Sequence, residues 1–340
     1  MSAPDWRVYH GSGHVADTPV SRLPDPPPWR RFTGRGTSTR PADDVGESDR
    51  RVGSVRGARR SPSANEVAMV NTAIYLRRPL LVTGSPGTGK SSLAYLIARE
   101  LGLGPVLRWP ITSKSSLKDG LYLYDAIGRV QAAGVRPDDV SEFDIGDYIH
   151  LGPLGTALLP DDLPRVLLID EVDKGDIDLP NDLLNVFEDG EYDIPELARM
   201  AKRQPDITVL TADRGGSAEV NGGVVRCREF PIIIMTSNGE REFPPAFLRR
   251  CLRLHFGKPD YEQLGSMVAA HFDGVDGVDV NRLISEFLQR GAEVGELSSD
   301  QLLNAVHLAV QLATSGAYQP DHEWAKLLKA IWHPLSTGTE

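Results

Sequence analysis

A lysine, three hydroxyl side chains and three glycines fall within eight positions, a composition suited to gripping phosphate. The run Gly84-Ser85-Pro86-Gly87-Thr88-Gly89-Lys90-Ser91, continued by Ser92, fits the pattern G-x-x-x-x-G-K-[ST] at every required position. Its glycines let the main chain wrap closely around phosphate oxygens, where side chains would block the approach. Lys90 would bring charge to the β- and γ-phosphates of a nucleoside triphosphate, and the Ser91 hydroxyl would be a Mg²⁺ ligand. A chance match in a Gly/Ser loop is the alternative, and the flanking elements described below argue against it.

Three further groups downstream could complete a hydrolytic site. Asp170 and Glu171 end an apolar run, Val166-Leu167-Leu168-Ile169. An aspartate there can hold Mg²⁺, directly or through water, and the glutamate can polarise a water for in-line attack on a γ-phosphate. Standing alone, an Asp-Glu pair would be an ordinary strand-end surface pair. Asn238 closes the run Met235-Thr236-Ser237-Asn238, where an amide could hold the attacking water or the γ-phosphate; a turn-forming Asn is the plainer reading. Arg249 and Arg250 are adjacent, which usually means a solvated face, but in an oligomer one could reach into a neighbour's site and neutralise transition-state charge.

These residues need strands and helices to aim them. Pro79 to Thr83 predicts a short buried strand before the phosphate loop, and Ser91 to Leu101 an amphipathic helix after it, which puts the anion at a helix N-terminus. A helix is expected over Ala64–Leu76, further strands at Val106–Trp109, Arg165–Glu171 and Pro231–Thr236, and a helix around Leu183–Phe187. The continuous apolar runs fit a parallel sheet covered on both faces. Short extended pieces at Tyr192–Ile194 and Ile207–Leu210, punctuated by Gly215-Gly216 and Gly222-Gly223, suggest a hairpin, and Arg129 to Asp144 a mixture of helix and loop. Strands alternating with helices after a phosphate loop imply a doubly wound α/β core. From Pro259 the apolar spacing turns helical in four segments, ending in the stripe Trp324, Leu327, Leu328, Ile331 and Trp332, the core of a small helical domain.

Residues 1–62 differ in kind. They hold eight prolines and eleven arginines against seven acidic residues, a local charge of +4, and so predict a flexible Pro/Arg-rich arm. Trp6 and Trp29-Arg30-Arg31-Phe32 are either incidental aromatics or anchors for a neighbouring subunit or partner. The resulting division is an arm (1–62), an α/β nucleotide-binding domain (63–258) and a helical domain (259–340). The 340 residues carry a net charge of −10, leaving −14 on residues 63–340, which disfavours broad binding to nucleic acid or anionic membranes. Two cysteines, Cys227 and Cys251, make neither a disulfide framework nor a zinc site. No apolar run has transmembrane length and no signal-peptide region is evident, so a cytoplasmic protein is expected.

Taken in order, GSPGTGKS, LLIDEVDK, MTSN and PPAFLRRC resemble the AAA+ ATPases, and within them the MoxR-like branch. Gly152-Pro153-Leu154 and the helix end Leu183–Gly190 are similar to segments of that branch, and the likeness covers roughly residues 63–335. The resemblance implies a P-loop NTPase core with a C-terminal helical lid. It implies Walker A at Gly84–Ser91, Walker B at Asp170 and Glu171, sensor-1 at Asn238, and an arginine finger at Arg250 with Arg249 as the alternative. ATP and Mg²⁺ would be the ligands, and a homo-oligomeric ring, usually hexameric, the assembly. The implied role is chaperone-like remodelling or assembly switching of a partner protein, and MoxR-type ATPases often work with von Willebrand factor A-domain proteins. One departure stands out: the third lid helix starts in Leu297-Ser298-Ser299-Asp300-Gln301-Leu302, without the sensor-2 arginine often found there. Tyr122-Leu123-Tyr124 lies where ring ATPases often carry a pore loop, although the plainer reading is that these aromatics pack in the core. Two rivals stay open: a nucleotide-gated scaffold in a signalling or defence complex with slow turnover, and a nucleic-acid-associated or GTP-using motor.

Overall fold

The computed structural model describes residues 5–15, 23–36, 38–39, 41, 44, 46–54, 60–135, 145–273, 277–316 and 321–334. Its centre is a five-stranded parallel sheet. Across the sheet the strands run Leu252–His255, Leu80–Thr83, Ile232–Ser237, Val166–Asp170 and Leu107–Pro110. Every residue of Val166–Asp170 and Ile232–Ser237 is buried, as expected of central strands covered on both faces. The edge strand Leu107–Pro110 alternates instead, with Leu107 and Trp109 inward and Arg108 and Pro110 outward. The phosphate-loop strand is flanked by Ile232–Ser237, and that strand by Val166–Asp170. This order brings Gly84, Asn238 and Asp170 to one carboxyl edge, where open α/β sheets place their ligands.

Local signals set the helix ends. The Ser63 hydroxyl accepts the Glu66 amide at 3.0 Å and starts the helix Ala64–Leu76. The helix Ser92–Leu101 stops at Gly102 in the left-handed conformation. Asp260 and Gln263 form a reciprocal capping box that opens the first of four C-terminal helices, Tyr261–His271, followed by Val280–Val294, Ser299–Thr314 and His322–Ile331. These four enclose their own core, with Phe287 set edge-on to Trp332 at 5.6 Å. The expected stripe on the last helix is narrower than its spacing implied: Trp324, Leu328 and Trp332 are buried, while Leu327 faces outward.

Two features depart from expectation. The region between the second and fourth core strands builds a second, four-stranded sheet in the order Tyr122–Tyr124, Ile149–Leu151, Asp206–Leu210, Ser217–Asn221. The hairpin expected around Gly215-Gly216 is its last pair, and Val224–Arg226 pairs separately with Glu191–Asp193. The helix Ala126–Val135 covers the first part of Arg129–Asp144, and residues 136–144 lie outside the described residues.

The second departure is the arm. The described parts of residues 1–62 do not form a flexible tail; they are bound to the core, chiefly through polar groups. Asn71, fully buried, accepts the amides of Val8 and Tyr9 at 2.8 and 3.1 Å and donates to the Tyr9 carbonyl at 2.7 Å. Buried Glu100 accepts the amides of His10 and Ser12, and buried Glu66 takes the Tyr9 hydroxyl and both Arg60 amino groups. Arg30 lies over the Phe230 ring at 4.3 Å and donates to the carbonyls of Phe187, Glu188 and Arg77. It thereby serves the C-terminal ends of two helices, where a cation is favoured. Low apolar content suggested disorder because the arm has no core of its own. It borrows one, and it satisfies three polar side chains buried in the core helices.

Candidate active site

The phosphate loop joins Leu80–Thr83 to Ser92–Leu101. Gly89 needs its glycine: φ is +85°, and a Cβ built there would meet nothing within 4 Å, so the loop presents bare backbone to open space. Lys90, 7% exposed, donates through Nζ to the carbonyls of Gly84 and Ser85 at 2.7 and 2.8 Å, and to Asn238 Oδ1 at 2.8 Å. Burial pulls its pKa below the usual lysine value, and the carboxylates of Asp173, Asp170, Glu171 and Glu296 oppose that pull. All three direct partners are neutral oxygens, which phosphate oxygens could replace with a gain in charge pairing.

Asp170 is the hub of the second half. Its Oδ1 accepts the hydroxyls of Ser91 at 2.6 Å and Thr236 at 2.8 Å, and its Oδ2 pairs with Arg108 Nη2 at 2.8 Å. Burial pushes the Asp170 carboxyl up, but these three donors outweigh it and hold its pKa below the usual carboxylate value. The Thr236 hydroxyl also accepts the Glu171 amide at 2.8 Å, so one side chain fixes both acidic residues. Glu171 itself sits at φ +61°, a left-handed conformation that non-glycine residues seldom adopt. Its carboxylate is turned to Lys174 Nζ at 2.9 Å. Ser91 and Asp170 together offer the hard oxygen donors that suit Mg²⁺, with the remaining positions left to phosphate and water.

Asp173, to which the sequence assigns no role, is 3% exposed, and its Oδ2 accepts the amides of Asn238 at 2.9 Å and Glu240 at 3.1 Å. It shapes the turn that delivers the Asn238 amide group to Lys90. The available signal was a third acid three residues beyond Asp170 in Asp170-Glu171-Val172-Asp173, but sequence alone could not reveal its partner.

Around these groups lies a cleft of about 870 Å³. Pro86, Thr88 and Ser92 line it beside Lys90; the helical domain contributes Gln263 and Met267, and the arm contributes Arg51 to Gly53. The helical domain meets the loop directly, for the Ser299 amide donates to the Gly87 carbonyl at 3.1 Å and Ser85 Oγ to Glu296 Oε1 at 2.6 Å. Gly87 has φ +74°, and a Cβ there would come within 2.0 Å of Ser298 Oγ.

A family model for the AAA domain, dynein-related subfamily, matches residues 79–251. The chain belongs to the AAA family. The match begins one residue before the phosphate-loop strand and ends just after the helix Pro245–Arg250, so it spans the core sheet up to its last strand. The fold is accordingly an AAA+ P-loop core followed by C-terminal helices, and nucleotide binding belongs to that core.

Within the AAA domain the structure brings Lys90, Ser91, Asp170, Glu171 and Asn238 to one cleft, but places Arg249 and Arg250 outside it. Arg249 is exposed, and Arg250 pairs with Glu188 at 3.4 Å on the end of the helix Leu179–Asp189. Of Tyr122-Leu123-Tyr124, Tyr122 is buried and donates its hydroxyl to Glu196 at 2.8 Å, whereas Leu123 is 54% exposed. No helix among the described residues is long and apolar enough to cross a membrane.

Proposed function

We propose that this AAA protein is a Mg²⁺-dependent, ATP-hydrolysing enzyme of the MoxR-like type, cytoplasmic and assembled as a homo-oligomeric ring, that remodels a partner protein or switches its assembly. The observation that supports the reading is the bond from Lys90 to Asn238 alongside the Ser91–Asp170 pair, which gathers in one cleft the groups that would meet the phosphates and the Mg²⁺. Lys90 and the loop amides would bind the phosphates. Mg²⁺ would be held by Ser91 and Asp170, where it would neutralise phosphate charge. Glu171, once free of Lys174, would take a proton from the attacking water, and Asn238 would orient that water or the γ-phosphate. Arg250, once released from Glu188, or the exposed Arg249 would serve a neighbouring copy's cleft. Lys90→Ala should abolish ATP retention on a filter, while Glu171→Gln should retain ATP and stop its turnover. Intact ATP affinity in the first variant would sink the reading. The Glu171→Gln form, loaded with ATP, is the natural bait for the partner, and a von Willebrand factor A-domain protein is the expected prey.

Two observations favour a second reading, a nucleotide-gated scaffold with slow turnover. Glu171 is engaged by Lys174, and the helical domain offers no arginine at Ser298–Asp300. Single-turnover hydrolysis, measured with and without the captured partner, separates the two.

A further inference from the structure

Arg108 stands out among the charged groups at this cleft. The edge strand Leu107–Pro110 pairs with Val166–Asp170 so that Arg108 lies opposite Leu168, two residues before Asp170 and on the same face of the sheet. Its side chain, 38% exposed, lines the cleft and gives Nη2 to Asp170 Oδ2. Apart from Lys90, the other arginines and the lysine of the cleft lie against other groups. Arg60 is held by Glu66, and Arg99 by Asp49 and the Gly53 carbonyl. Arg51 lies over the Tyr95 ring at 5.8 Å, and Lys258 is 3.9 Å from Glu296. Among the described residues, Arg108 is thus the guanidinium at the Ser91–Asp170 end, and its remaining N–H groups have no partner there. The helical domain leaves a matching gap, since Ser298, Ser299 and Asp300 bring to the loop a main-chain amide and no cation.

We propose that Arg108 binds the terminal phosphate of the nucleotide from within the same subunit, supplying from the edge strand the charge that the helical domain lacks. Asp170 parks the guanidinium, with one amino group engaged, until a triphosphate arrives. A fork of N–H donors suits phosphate better than a single ammonium would. A terminal phosphate distinguishes ATP from ADP, so Arg108 would report which of the two is bound. This inference rests on the cleft being a triphosphate site.

The test is equilibrium titration of the full chain with fluorescent analogues of ATP and ADP, in Mg²⁺ and in EDTA. Wild type, Arg108→Gln and Arg108→Lys are compared after their melting temperatures are shown to agree within a few degrees. Arg108→Gln should weaken the ATP analogue by about tenfold or more while changing the ADP analogue by about twofold or less, the size of one charge-assisted hydrogen bond. Arg108→Lys should recover part of the loss, and the ATP-specific loss should persist in EDTA because the contact is to phosphate. Equal losses for both nucleotides, no loss, or a loss confined to Mg²⁺ would overturn the assignment. If wild type bound neither analogue, the triphosphate reading of the cleft would fail first, an outcome distinct from these three.

Discussion

At the scale of single residues, the ion pair between Glu171 and Lys174 sets the resting state of the proposed base. Both side chains are about two-fifths exposed, so the pair is worth at most about 1 kcal/mol after solvent screening. Lys174→Ala should therefore raise basal turnover, by no more than about fivefold, because removing a restraint cannot release more than it stored. A fall in turnover under steady-state phosphate release would show instead that Lys174 contributes directly to the site. Much of this level was legible in sequence. The loop from Gly84 to Ser91, the Asp170-Glu171 pair and Asn238 are identified by type and order alone, since each chemistry admits few residue types. Arg108 and Asp173 were missed because their partners are distant in the chain: Arg108 meets Asp170 across 62 positions, and Asp173 meets the Asn238 amide across 65. Cys227 and Cys251 are both buried, and burial pushes both thiols up to about 12.

At the scale of elements, the core strands and helices announced themselves through continuous apolar runs and helical spacing. In the second sheet only the hairpin did, because its other strands, Tyr122–Tyr124 and Ile149–Leu151, are three residues long and carry too short a period to recognise. The arm is hard to read from composition for another physical reason. Composition measures the capacity to bury apolar surface, and the arm is held largely by hydrogen bonds to Asn71, Glu66 and Glu100, which look like ordinary polar positions on helices. Asn71→Ala should be costly accordingly. It strands the amides of Val8 and Tyr9 and the Tyr9 carbonyl inside the protein, a loss of about 2–4 kcal/mol, visible as a lower urea midpoint. An unchanged midpoint would mean that the arm detaches without cost.

At the scale of the whole molecule, the arm spans the cleft from the α/β core to the helical domain. The helix Glu47–Val52 is fixed to the core where the Tyr95 hydroxyl donates to Glu47 and Arg99 to Asp49. Just beyond it, Gly53 packs so closely on Ala270 that a Cβ would come within 2.1 Å of that carbonyl. Removing residues 1–54 should therefore weaken nucleotide binding, although the phosphate loop stays intact, because a wall of the cleft and a tie to the helical domain go with them. Isothermal titration with ATP would check this, and unchanged affinity would reduce the arm to a passenger. The joint between Ser299 and Gly87 has a different consequence. It runs from main chain to main chain, so exchanging either serine at 298 or 299 for any L-residue but proline leaves its donor and acceptor in place. Whatever passes through that joint is spelled in peptide groups, robust to side-chain drift and silent to any search for signature letters.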